Sequence, residues 1–329
     1  MKKYVLLIVA AALFFVAGCA QEENRNEQAG EETEGKPALN IGYVTILANA
    51  PGIIADKKGL FSDDLEVNTY GFNSGPELYQ ALAAGELDVA YAGVPATVNW
   101  SSRGLPVKLI AKVNEGKIGV IAAGDSAISS VSELKGDVLG GVKRGSGVDI
   151  LTRGFILPSA GLTPDDVTIQ ELKQANIEAA VESGQVAAGV INEPFVTYAL
   201  LRGKKLIAEE KDPALVIITT DQALNEKKEA VQIFIKKHKE AIRFLNEQNE
   251  EANQLLAEVF NIASVGDYSP EEVIIKAREK MNYDWQFIDD DFEYYQQLAD
   301  ASYELGYVDE KIDVKTLFDL DVVEGVVRE

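Results

Sequence analysis

The sequence has a single cysteine, Cys19, and a single histidine, His238, and this scarcity excludes several kinds of chemistry. A Ser-His-Asp or Cys-His arrangement needs a histidine beside its nucleophile, whereas the charged stretch around His238 predicts a solvated helix face. Zinc sites built from cysteine and histidine cannot be assembled, and no disulfide can form within the chain. The glycine-rich nucleotide-binding patterns are absent as well. We therefore expect no catalytic residue, no metal site and no cofactor.

Basic residues are also in short supply. The chain has 31 lysines and arginines against 53 aspartates and glutamates, and its formal net charge is -22. A nucleic-acid-binding protein needs a basic face to displace counterions from phosphates, so this balance argues against nucleic acid as a partner. The hydrophobic share of 47% is ample for the cores of two lobes. The self-repelling acidic surface favours a monomer.

The one extended apolar run lies at the N-terminus, where residues 1–18 have the pattern of a secretory signal peptide. The run is short for a membrane span, and no later segment is long enough for one. It ends in Val-Ala-Gly before Cys19, which resembles the lipobox of bacterial lipoproteins. An ordinary signal with a chance cysteine is the alternative. Residues 19–38 then form a lipidated cysteine, in a palmitate-type anchor, and a glutamate-rich flexible tether.

Beyond residue 38 short β-branched runs alternate with helical patterns. Strands are predicted at 39–44, 65–70 and 87–91, and helices at 51–59 and 75–84, with Ser74 as the cap of the second helix. Strands and helices in alternation with short turns indicate a parallel α/β sheet. After residue 222 the pattern becomes mostly helical.

An internal repeat predicts two similar α/β lobes. Residues 59–67 align with 161–169, and residues 81–95 align with 180–194 at nearly the same offset. Lobe 1 is placed at 39–126, lobe 2 at 127–217, and a return to lobe 1 with C-terminal helices at 218–329. Crossings near 125–128 and 217–222 would form a hinge beside a cleft.

Ligands of open α/β sheets bind beyond the carboxyl ends of strands, at helix N-termini. Glycine-rich turns and unpaired helix N–H groups there suit an anion even in an acidic protein. For each single turn, ordinary turn and cap chemistry is the alternative. Glu193 either interacts favourably with a helix dipole or receives a ligand ammonium, and we expect it to face the cleft because Pro95 and Pro194 are equivalent positions of the repeat. The candidate ligand-binding residues are Thr45, Ser74, Gly75, Gly93, Pro95, Thr97, Asn114, Ser146, Gly147 and Glu193.

Several of these segments together resemble the substrate-binding proteins of ABC importers, and within them the group for aliphatic sulfonates, taurine and nitrate. The resemblance covers roughly residues 39–220, and one departure is Glu133 where that family usually has an aspartate. The segments that carry it read IGY at 41–43, IADKKGLF at 54–61, FNSGPE at 72–77, ALAAGELDVA at 81–90 and GLPVK at 104–108.

This resemblance implies a two-lobed type II periplasmic-binding-protein fold whose lobes close on a small anionic or zwitterionic solute. It further implies an extracytoplasmic protein, attached to the cell membrane by its lipid alone, with an ABC permease and its ATPase subunits as partners. The alternatives are an enzyme on the same fold, such as a pyrimidine-precursor synthase, and a sensor lipoprotein. The family's pyrimidine-precursor branch uses a cysteine-rich motif that this chain lacks.

Overall fold

Two five-stranded sheets carry the fold, and the computed structural model describes residues 35–247 and 249–323. The predicted signal peptide and the lipidation of Cys19 lie outside the described residues. Ala38 was expected in the tether, but it is the first residue of the first strand, because it pairs in register with Glu66 of the next strand. No helix among the described residues is both long and apolar enough to cross a bilayer.

Ten strands and twelve helices alternate along most of these residues. The strands are β1 Ala38–Val44, β2 Glu66–Phe72, β3 Val89–Gly93, β4 Val107–Asn114, β5 Lys117–Ala122, β6 Val138–Gly141, β7 Thr168–Glu171, β8 Ala188–Asn192, β9 Lys205–Lys211 and β10 Leu215–Thr220. The helices are α1 Ala50–Lys57, α2 Gly75–Ala83, α3 Val94–Ser101, α4 Gly147–Leu151, α5 Leu157–Ser159, α6 Gln174–Glu182, α7 Phe195–Leu201, α8 Asp221–Glu226, α9 Lys228–Glu247, α10 Asn249–Val259, α11 Pro270–Arg278 and α12 Asp289–Glu304.

The two sheets repeat one arrangement. The sheet of lobe 1 has the order β2-β1-β3-β10-β4, and the sheet of lobe 2 has the order β7-β6-β8-β5-β9. In each sheet one strand runs antiparallel to its neighbours: β10 in lobe 1 and β5 in lobe 2. The central strands β3 and β8 are almost wholly buried, as expected for strands covered by helices on both faces. The predicted α/β class with an internal repeat is confirmed.

The chain passes between the sheets earlier than the sequence indicated. Strand β5 already pairs with β8, and strand β10 already pairs with β3 and β4. The crossings are therefore residues 115–116 and 212–214, not positions near 125 and 218. The two crossings lie side by side, since the Asp212 amide donates to the Gly116 carbonyl at 2.9 Å. The sequence misplaced them because β5 and β10 are apolar runs that suit either sheet.

The C-terminal helices contact both lobes. Helix α9 packs on α1, and α11 packs on α10 and on α7 of lobe 2. Helix α12 packs on α3 of lobe 1 and also on α4 of lobe 2. This part of the chain therefore covers the hinge region, which the sequence pattern alone did not show.

His238 is a correction to the sequence interpretation, because it is fully buried in the core and not solvated. Its Nε2 lies 3.1 Å from the Lys112 carbonyl, and its Nδ1 lies 3.2 Å from the Tyr91 hydroxyl. It continues the apolar stripe of α9 at helical spacing from Phe234 and Ile242, so the charged residues beside it in sequence occupy another face. Burial lowers the pKa of His238 to about 4.

Candidate functional site: the cleft between the lobes

A small cavity of about 80 Å³ lies between the lobes, where strands of both sheets end and helices begin. One water needs roughly 10–15 Å³ by this kind of measure, so the cavity holds a solute fragment of a few non-hydrogen atoms. Its polar wall comes from both lobes, and its apolar wall includes part of the second crossing. The lining residues are Val44, Ile46, Asn73, Ser74, Gly75, Gly93, Ala96, Val142, Lys143, Ser146, Gly147, Val148, Gln174, Asn192, Pro213 and Leu215.

The lobe 1 side of the cavity has a hydroxyl without a partner. Ser74 precedes α2 in an extended conformation, as a cap residue does, but its side chain makes no capping hydrogen bond. Its Oγ is buried and has no hydrogen-bond partner among the described residues. Buried polar atoms are ordinarily satisfied, so this hydroxyl is available to a ligand. The backbone donors in the first turn of α2 beside it are the N–H groups of Gly75 and Glu77, because Pro76 has none.

The lobe 2 side has a second hydroxyl, on a turn that a carboxylate holds in place. Ser146 caps α4, and its Oγ accepts from the Asp149 amide at 3.3 Å, which leaves the hydroxyl proton to donate into the cleft. Asp149 in turn accepts from the Gly145 amide at 2.9 Å and pairs with Arg153 at 2.8 Å. The Tyr307 hydroxyl also donates to Asp149. The turn that carries Ser146 is therefore fixed through Asp149 of its own helix.

The charge of the lining favours an anion. Lys143 is the charged side chain among the lining residues, and no carboxylate belongs to them. Lys143 is exposed and forms no ion pair with the residues that the structure describes. Gln174 uses its Oε1 to accept from the Asn192 amide at 3.1 Å, so its NH₂ group remains as a donor. The cleft thus offers donors and one cation on a partly apolar wall.

Five of the ten predicted site residues line this cavity: Ser74, Gly75, Gly93, Ser146 and Gly147. Thr45 does not, although its neighbours Val44 and Ile46 do. Pro95 is buried in the first turn of α3. Thr97 is fully buried, and its hydroxyl donates to the Gly93 carbonyl at 3.0 Å. Asn114 lies instead at the first crossing, where it hydrogen bonds to Asp212.

Glu193 also lies outside the cavity lining, which corrects the expectation that it faces the cleft. Its side chain is 1% exposed, and its carboxylate accepts from the Thr197 amide and hydroxyl, both at 3.0 Å. The Lys280 ammonium lies 3.0 Å from the same carboxylate. Burial raises the pKa of Glu193 despite that lysine. Its backbone carbonyl accepts from the Leu47 amide at 3.2 Å, which joins lobe 2 to lobe 1.

Sequence reasoning did not place Gln174 or Lys143 among the candidate residues. The repeat contained a signal for Gln174, because it begins α6 after β7 just as Gly75 begins α2 after β2. The apolar wall, to which Pro213 and Leu215 contribute, had no such signal, because it depends on where the chain crosses between sheets. Within the described residues no group of three or more His, Cys, Asp or Glu side chains is placed to hold a metal ion.

Comparisons with known proteins agree with this architecture. The NMT1-like family matches residues 32–261. A Bacillus subtilis (strain 168) protein, named as an aliphatic sulfonates-binding protein, is 29% identical, and the match spans 98% of this chain and 97% of that protein.

Two solved structures show the same fold. The alkanesulfonate-binding protein of Xanthomonas axonopodis pv. citri, bound to MOPS, aligns with a TM-score of 0.74 at 22% identity, over 87% of this chain and 99% of that chain. The periplasmic aliphatic sulphonate binding protein of Escherichia coli aligns with a TM-score of 0.71 at 22% identity, over 86% of this chain and 98% of that chain. The predicted resemblance to substrate-binding proteins of ABC importers is confirmed, and the chain belongs to the NMT1-like family.

Proposed function

We propose that this protein captures a small alkanesulfonate in the cleft between its lobes and delivers it to the permease of an ABC importer. The observation that carries the proposal is the composition of the cavity wall. The wall contains serine hydroxyls, helix N-termini and Lys143, and it contains no carboxylate. Donors of this kind suit an anionic head group. Val44, Ile46 and Leu215 provide apolar surface for a short alkyl tail. The names of the relatives point to the same class of solute.

The lining favours an alkanesulfonate over the zwitterion taurine. A bound taurine would place an ammonium group in the cavity, and that group needs an acceptor of negative charge. Glu193 was the sequence candidate for this role, but Lys280 already pairs with it outside the cavity. An unpaired ammonium against this wall bears a desolvation cost that no neighbouring carboxylate offsets.

The attachment and partners of the protein belong to the same proposal. The signal pattern and the lipobox before Cys19 support export and a lipid anchor on the outer side of the cell membrane. A monomer would hand its solute to a permease driven by ATPase subunits. The Cys19→Ala variant is expected to leave the membrane fraction, and mass spectrometry of the wild-type protein is expected to find a diacylglyceryl group on Cys19. A variant that stays on the membrane would contradict the anchor.

Calorimetric titration of ethanesulfonate, taurine and nitrate into the purified protein tests the choice of solute. We expect saturable binding of ethanesulfonate and an affinity for taurine at least about tenfold lower, equivalent to about 1.4 kcal/mol. Ethanol serves as the control that has the alkyl group without the anion. Tighter binding of taurine than of ethanesulfonate would contradict the assignment, and so would binding of none of the three solutes.

A further inference from the structure

A second and larger cavity adjoins the crossings, and we call it the hinge cavity. Its volume is about 570 Å³, within the range of roughly 300–1,000 Å³ that is typical of small-molecule sites. Residues of the second crossing and the first residue of β10 line the two cavities in alternation. Asp212 and Ala214 line the hinge cavity, whereas Pro213 and Leu215 line the cleft. The two cavities therefore share a wall of single-residue thickness.

The lysines at the edge of the hinge cavity all have partners. Lys117 pairs with Glu209 at 3.2 Å, and Lys280 pairs with Glu193 at 3.0 Å. The Lys211 ammonium lies 5.0 Å from the centre of the Tyr294 ring. Carboxylates outnumber these lysines in the cavity lining. The wall therefore has little unmatched positive charge with which to hold an anion.

Two polar side chains on the wall have unmet hydrogen-bonding capacity. Asn114 and Tyr295 line the hinge cavity, and each is only 1% exposed. The Asn114 Oδ1 and the Tyr295 hydroxyl both lack a hydrogen-bond partner among the described residues. Native structures leave few buried polar atoms unsatisfied, so two on one cavity wall point to donors supplied from outside the chain.

Asp212 lines the same cavity and lacks a cation. It is buried, accepts from the Ala214 amide at 3.0 Å and from the Asn114 amide, and forms no ion pair within residues 35–247 and 249–323. The nearby Lys112 is already bound to Asp291 at 2.8 Å and to Glu115. Burial raises the pKa of Asp212 to about 7. A buried carboxylate of this kind is costly unless a positive group joins it.

Glycine at position 116 keeps this wall open. A Cβ there would lie 2.6 Å from the Met281 Sδ and 2.9 Å from the Asp212 Oδ2. Any larger residue would displace the thioether or press on the carboxylate. The first crossing therefore leaves space directly against Asp212.

We propose that the hinge cavity binds a small organic ammonium compound. An ammonium group has three N–H donors, and Asp212, Asn114 and Tyr295 provide three acceptors for them. Tyr294 and Met281 provide aromatic and thioether surface for the organic part. A metal ion fits less well, because the described residues contain no suitable group of three or more ligand side chains. This site does not depend on which solute occupies the cleft.

The experiment titrates n-butylammonium chloride into the full protein by calorimetry at pH 8, which lies above the pKa of about 7 of Asp212, so that this carboxyl is mostly ionised. Sodium chloride and n-butanol control for charge alone and for the alkyl chain alone. Asp212→Asn removes the charge, and Tyr295→Phe removes one acceptor while keeping the ring. Asp125→Asn, at an exposed turn of lobe 2 outside both cavities, is the matched control.

We expect saturable binding of butylammonium but not of butanol or sodium. Asp212→Asn should weaken binding by about tenfold or more, Tyr295→Phe by about threefold to tenfold, and Asp125→Asn not at all. If Asp212→Asn does not fold, the affinity of Tyr295→Phe for butylammonium alone tests the proposal. The proposal is overturned if the wild-type protein shows no saturable binding, or if the hinge-cavity variants keep wild-type affinity. It is also overturned if Ser146→Ala in the cleft weakens butylammonium as much as they do.

Discussion

Gly147 at the start of α4 lies directly against Pro213 of the second crossing, and a Cβ on Gly147 would stand 2.4 Å from the Pro213 Cβ. Both residues line the cleft. The N-terminus of α4, which holds Ser146, is thus seated on the segment that joins the two lobes. Only glycine permits this approach, because the neighbouring atoms belong to a rigid proline ring.

Gly147→Ala should therefore destabilise the fold. We expect the free energy of unfolding to fall by about 1–3 kcal/mol, the usual range for overpacking a well-packed site. Denaturant unfolding measures it. Gly75→Ala is the matched control, since Gly75 also begins a helix in the cleft wall, but a Cβ on Gly75 would meet no other atom within 4 Å and its φ is not positive. Equal stability of the two variants would contradict the close contact.

Lys143 should contribute charge to the cleft and should not affect the fold. Lys143→Gln is expected to weaken ethanesulfonate binding by roughly twofold to fivefold, because an exposed ion pair contributes about 0.2–1 kcal/mol. The affinity of the variant should also depend less on salt concentration. Arg144→Gln is the control, since Arg144 is adjacent and exposed but does not line the cavity. Equal effects of both variants would assign the result to net charge alone.

Glu193 should act in stability and not in ligand choice. Glu193→Gln leaves Lys280 without its buried partner and should lower the free energy of unfolding by about 1–3 kcal/mol. The ratio of ethanesulfonate to taurine affinity should stay as in the wild type. Glu209→Gln removes the second carboxylate near Lys280, at 3.5 Å and more exposed, and should change stability little. A change in that affinity ratio in Glu193→Gln would show that Glu193 takes part in ligand binding.

The buried His238 should make the fold sensitive to acid. Its pKa is lowered from the usual 6.5 to about 4, so the unfolded chain binds a proton between these values and the folded chain does not. Stability from this residue is complete above about pH 6.5 and is lost as the pH falls toward 4. At about 1.4 kcal/mol per pKa unit, the loss is about 3 kcal/mol. In His238→Gln the free energy of unfolding should no longer show this loss between pH 6.5 and pH 4. Denaturant unfolding at several pH values measures it, and an unchanged dependence on pH would contradict the prediction.

The sequence identified those parts of the site that depend on local pattern. Ser74 and Ser146 follow strands and precede helices, and this succession places them at the carboxyl ends of their sheets whatever the rest of the chain does. The repeat was visible for the same reason, since each strand-helix-strand unit has its own turn residues. The α/β class and the paired sheets followed from it.

The features that the sequence could not supply depend on distant partners. Glu193 turns away from the cleft because Lys280, from the segment after α11, lies on the other side. His238 is buried because α9 presents that face to Tyr91 and the β4 backbone. The hinge cavity exists because the C-terminal segment covers the crossings. None of these contacts has a signature within the short windows from which the elements were predicted.

The most direct test of the account is a titration of ethanesulfonate into the wild-type protein and into a Ser74→Ala, Ser146→Ala double variant, with circular dichroism to confirm folding. The hydroxyl of each serine is placed to donate to an anionic head group, and hydrogen bonds to charged groups contribute about 1.5–3 kcal/mol each. Ser62→Ala, exposed and outside the cleft, is the control. We expect saturable binding to the wild type and to Ser62→Ala, and a loss of at least about tenfold in the double variant. Absence of binding to the wild type, or wild-type affinity in the double variant, would contradict it.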